Sequence, residues 1–155
     1  MSAGGARGGI LASGGCRGGG VRGQLDPVAE VEEVMAVWED GGQMTTAVAA
    51  RAYLDINCAH CHKASGSASN SGLWLDWEIE DAVKWGVGKH PTAAGGGAGD
   101  ALVVIKPGEP DRSILAYRMG SAEPGVAMPE LGRALVHAEG VALIEAWISD
   151  MEPAH

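Results

Sequence analysis

The stretch "RAYLDINCAHCHKASG", residues 51–66, brings together Cys58, Cys61 and His62. Two thiols three apart, followed at once by an imidazole, match the pattern for covalent attachment of a c-type haem. The spacing has a physical reason, because residues i, i+3 and i+4 of a helical turn share a face. Two thioethers can form to one edge of a porphyrin while the next residue presents an imidazole to the iron. Cys58 and Cys61 are then the anchors and His62 the proximal ligand. Other chemistries also use cysteine pairs. A zinc site needs a second pair of ligands at finger-like spacing, and the remaining cysteine, Cys16, stands in a glycine-rich head. A thioredoxin-like pair follows a strand and opens a helix, whereas this one closes an alanine-rich, helix-forming run. A pair that only packs, as small apolar residues do, is the plainest alternative. The pattern favours haem.

An iron held by His62 has a second axial position to fill. Met128 is the favoured ligand. It lies in "GVAMPELG", an irregular loop stiffened by Pro129, and such a loop can carry a thioether across a haem face. Met1, Met35 and Met44 precede the cysteine motif; Met119 ends a helix and Met151 belongs to the last one, so packing accounts for both. His90 and His137 are the rivals to Met128. His60 sits inside the attachment loop and is expected to point away, and His155 is terminal.

The elements that must position these groups are short. Ten of the 25 glycines fall in the first 23 residues, a head with almost nothing to bury and so expected to be disordered. An acidic, partly periodic stretch from Val28 to Trp38 follows. In "TTAVAARAYLDINC", Thr45 or Thr46 caps a helix that presents Val48, Ala52, Tyr53 and Ile56 and runs into the cysteines. "KASGSASNSG" and "KHPTAAGGGAGD" read as loops, and "LWLDWEIEDAVKWG" as an apolar segment whose second half forms a helical turn. Asp111 is placed to cap a short helix over 112–119. Val141, Ile144, Trp147, Ile148 and Met151 recur at helical spacing and mark the best amphipathic helix of the chain. With no strand-like alternation, the expected class is a small all-α fold. So few apolar helices among long glycine-rich loops suggest a domain that needs a large group to fill its centre.

A formal charge of −9 leaves no basic face for phosphates, so nucleic acid is not an expected partner. No apolar run reaches membrane-spanning length, the longest being "VALIEAWI". The acidic surface suits solubility or a basic-faced partner. Asp76, Glu78, Glu80 and Asp81 read as a solvated face rather than an active site.

Helix, CxxCH, long loop region, Met-Pro and a final amphipathic helix occur here in the order of a class I cytochrome c. "RAYLDINCAHCH", "SGLWLDW", "PGEPDRSILAYRM", "MPELGR" and "HAEGVALIEAWI" resemble a family of bacterial cytochrome c domains, found at the C-terminus of longer exported proteins. The resemblance runs from about Ala50 to Met151. It implies a class I cytochrome c-like fold around one covalent haem c, with Cys58 and Cys61 as thioether residues, His62 proximal and Met128 distal. It also implies a first and a last helix that pack together, with Tyr53 or Leu54 near Trp147. Ala50 stands where that pattern commonly has glycine, and the aromatic is shifted by one place to Tyr53.

The expected organisation is thus a disordered head over 1–24, a short acidic helical lead-in over 25–45 and a cytochrome c domain over 46–155. The expected function is single-electron transfer by a monohaem carrier with a redox-protein partner, periplasmic or otherwise exported, without substrate catalysis of its own. Two further readings stand beside it. The domain could be the electron outlet of a larger oxidoreductase, or the cysteines could serve a zinc- or thiol-based interaction module.

Overall fold

The computed structural model describes residues 44–132 and 134–153. The expected head and nearly all of the acidic lead-in lie outside these residues. Four α-helices appear among the described residues, in the order α1 (Thr46–Cys58), α2 (Ala82–Trp85), α3 (Ile114–Gly120) and α4 (Ala138–Ser149). Among the described residues there is no β-strand, only two isolated bridges, Val87 with Ile105 and Val103 with Ser113. No helix among them is long and apolar enough to cross a membrane.

Helix α1 starts where the sequence places its cap: the Thr45 hydroxyl accepts from the Val48 amide at 3.3 Å. Alanine-rich composition favours the helical backbone, and Ala49 through Leu54 are all buried. That run includes a charged residue. Arg51 is only 7% exposed; its Nη2 donates to the carbonyls of Asp76, Trp77 and Ile79 at 2.8, 3.2 and 3.0 Å. The guanidinium also lies 4.1 Å above the Trp85 ring. Asp55 adds a bond from the Trp77 amide at 2.8 Å. The segment "LWLDWEI" is therefore held on α1 by polar bonds to its backbone, which a hydrophobic pattern cannot reveal.

Asp111 does not cap α3. It lies within a 3-10 turn, Pro110–Arg112, and Ser113 occupies the position before the helix. The fully buried Ser113 hydroxyl accepts from the Lys106 amide at 2.8 Å and donates to the Glu109 carbonyl at 3.0 Å, so it closes the Pro-Gly turn instead.

Helices α1, α3 and α4 surround a small core in which Leu54, Leu75, Ile105, Ile144 and Ile148 are essentially inaccessible to water. Tyr53, Leu54 and Trp147 belong to that core, as the α1–α4 packing requires. The small residue at the contact is Gly140 on α4. A Cβ there would lie 2.5 Å from Cζ and 2.7 Å from Cε2 of Tyr53. The Tyr53 ring cannot retreat freely, since its hydroxyl bonds His137 Nδ1 at 3.0 Å.

Gly140→Ala should accordingly destabilise the domain by up to about 2 kcal/mol net, an overpacking cost of about 1–3 kcal/mol offset by roughly 1 kcal/mol gained in helix propensity. Chemical denaturation checks this; an unchanged or raised midpoint would show that the ring moves aside at no cost.

Candidate functional site

Helix α1 ends at Cys58, but its geometry carries on for one more turn. The Cys58 carbonyl accepts from the amides of Cys61 at 3.1 Å and His62 at 2.9 Å. That turn brings Cys58, Cys61 and His62 onto the wall of one cavity of about 480 Å³, well inside the range of small-molecule and cofactor pockets. Gly66 packs against the turn so closely that a Cβ would sit 2.7 Å from the Cys61 carbonyl carbon. The Cys61 oxygen in turn accepts from the Ala68 amide at 3.0 Å.

Opposite elements complete the wall. Leu73, Leu75, Val104, Leu115 and Met119 supply an apolar lining, and the glycine-rich loop contributes Pro91 through Ala94. Met128 lines the same cavity. Its loop is tied to the end of α3 by one residue, Arg118. The Arg118 carbonyl accepts from the Met128 amide at 3.0 Å. The guanidinium donates from Nε to Val126 at 2.8 Å and from Nη2 to Gly125 at 3.4 Å. It rests on Gly97, where a Cβ would come within 3.2 Å of Cζ.

The other candidates divide. His90 is exposed, bonded through Nδ1 to the Leu102 carbonyl at 3.0 Å, and is absent from the cavity wall. His60, His137 and Met119 do line it. His137 stacks on Tyr53 with ring centres 5.6 Å apart, and its Nδ1 is engaged with the Tyr53 hydroxyl. Met119 is 4% exposed and part of the core. Met44 and Met151 lie off the cavity, while Met1, Met35 and His155 lie outside the described residues. Arg51, Arg118, Gly66 and Gly140 escaped the sequence reading; only Gly140, a glycine inside a helical pattern, carried a local signal.

Burial sets the protonation of the donors. The Cys58 thiol is desolvated although the residue as a whole is only half-buried. Desolvation, with a smaller contribution from Cys61, pushes it from 9.0 up to about 12. It stays a neutral thiol at ordinary pH, unlike the depressed thiols of redox-active pairs. Desolvation also lowers His62, assisted by Arg118 and His60, which keeps the imidazole neutral. Both cysteines are free, and among the described residues no three of His, Cys, Asp and Glu come together as metal ligands.

Comparison with protein-family models, with curated proteins and with solved structures gives no match.

Two outcomes are expected. A thiol whose folded value lies above its unfolded one contributes stability that is complete below pH 9 and is lost as pH rises toward about 12. The free-thiol chain should therefore melt progressively lower across that window, and Cys58→Ala should flatten the decline. Equal slopes in the two proteins would contradict the assigned burial. Arg118→Gln should release the Met128 loop, seen as faster proteolysis between residues 121 and 131 with little change in α1; unaltered cleavage would remove Arg118 from that role.

Proposed function

We propose that the chain is a monohaem c-type cytochrome domain of class I type, which passes single electrons through a haem c held by Cys58, Cys61, His62 and Met128. The observation that carries this reading is the meeting of two free cysteines, a neutral histidine and a loop methionine on one largely apolar cavity. The donor set suits the group. Thiols anchor it by thioethers, a neutral imidazole and a thioether ligate iron, and apolar walls take a porphyrin face. Haem, when bound, supplies a one-electron couple at its iron. The residues of the chain do the rest. Cys58 and Cys61 would anchor the cofactor, His62 and Met128 would ligate its iron and leave no position for substrate, and the apolar wall would exclude water.

Burial on the cavity wall also supports this reading over a thiol module, because a neutral Cys58 is a poor nucleophile and a poor metal-exchange ligand. The acidic surface favours a basic-faced redox protein as partner. Export to the periplasm fits the chemistry of haem attachment in the bacterial domains that the sequence resembles.

Expressed with a haem-attachment system, the protein should carry one haem per chain and titrate with one electron. The oxidised form should show the weak far-red band of methionine–iron ligation. Met128→Ala should lose that band, bind added imidazole and keep its covalent haem, whereas Met119→Ala should keep the band and lose about 2–5 kcal/mol of stability. Two-histidine spectra in the wild type, or a band that survives Met128→Ala, would hand the ligand role to His137 or Met119.

A further inference from the structure

We infer that Ser71 is the positioning residue for His62: its hydroxyl fixes which ring nitrogen carries the proton, and so tunes the potential of the centre that His62 ligates. The inference rests on the haem reading above. Its foundation is a hydrogen-bond count at one oxygen. Ser71 Oγ lies 2.7 Å from the Ala68 carbonyl, 3.2 Å from the Leu73 amide nitrogen and 3.2 Å from His62 Nδ1. A hydroxyl has one hydrogen and two lone pairs. The carbonyl, the shortest contact, can only accept, so it takes the hydrogen. The Leu73 amide can only donate, so it takes one lone pair. The second lone pair is left for His62, and Nδ1 must therefore carry a hydrogen and donate it. In a neutral imidazole this leaves the free electron pair on Nε2. Nε2 has no hydrogen-bond partner among the described residues.

Ser71 is itself held in place. It ends the 3-10 turn Ser69–Ser71, Gly72 follows in the left-handed region with φ 61°, and the Thr92 hydroxyl donates to the Ser71 carbonyl at 3.1 Å. His62 is pinned at its other end, where its carbonyl accepts from the Leu75 amide at 2.9 Å. The ring is thus fixed in orientation as well as in tautomer. A hydroxyl that already donates to a carbonyl is also the better acceptor for it. An accepted Nδ1–H bond raises the basicity of the opposite nitrogen, which favours the oxidised metal.

The test is the reduction potential of the haem-loaded protein at fixed pH, compared with Ser71→Ala and Ser71→Thr. Ser71→Ala should shift the potential upward, Ser71→Thr should return most of the way, and all three should keep the far-red band. A second measurement needs no variant. In the reduced wild type the His62 Nδ1–H proton should exchange slowly with deuterated solvent. A loaded Ser71→Ala with unmoved or lowered potential, a Ser71→Thr indistinguishable from Ser71→Ala, or rapid exchange of that proton would each overturn the assignment while leaving the cytochrome reading intact. A wild type without haem would overturn both.

Discussion

The Cys58 carbonyl accepts from two amides at once, those of Cys61 and His62, and the rest of the site depends on that shared acceptor. It carries the helical register one turn past the end of α1, so three chemically active side chains leave the backbone on the same side. A loop of equal composition without those bonds would scatter them. The register is in turn only as rigid as α1. Burial of Ala49 through Leu54, packing on α4 and the Arg51 bonds to the 76–79 backbone hold that helix on more than one side. The charged Arg51 is tolerated in the interior because it satisfies several carbonyls and stacks on Trp85.

The cavity bears on the composition of the segment that encloses it. A domain that keeps about 480 Å³ open beside its core has little apolar surface left for helix packing. Its walls are then assembled largely from loops, with glycine at close approaches such as Gly66 against Cys61 and Gly97 beneath Arg118, while Gly140 on α4 makes room for Tyr53. The expectation of a missing core was half of the matter. A compact core does exist between α1, α3 and α4, with five large aliphatic side chains essentially inaccessible among the described residues, and the open space lies next to it rather than in place of it.

What was legible in the sequence followed from local rules. Thr45 caps α1 through a bond three residues away, and the α4 periodicity appears directly in the burial of Ile144, Trp147 and Ile148. The CxxCH spacing needs nothing beyond a helical turn. Asp111 was misplaced because a capping motif and a proline-initiated 3-10 turn share the same residue types, and the buried Ser113 hydroxyl decides between them. Ser71, Arg51 and Arg118 were illegible for a common reason. Each acts through bonds to backbone or side-chain atoms whose proximity arises only from the tertiary path, and "KASGSASNSG" has no periodicity to mark one serine among its four. The wall that carries Met128 was legible in part: Met-Pro marked the loop and His137 stood among the rivals, while the approach of Met119 to the same cavity was not visible.

Peptide mapping by mass spectrometry of the chain coexpressed with a haem-attachment system is the most direct test of the central claim, that the turn after α1 is a haem anchor. The account requires one haem adduct, confined to a peptide that contains Cys58 and Cys61, with both thiols resistant to alkylation after denaturation. Recovery of that peptide unmodified, with both thiols alkylated, from a properly folded protein would contradict it.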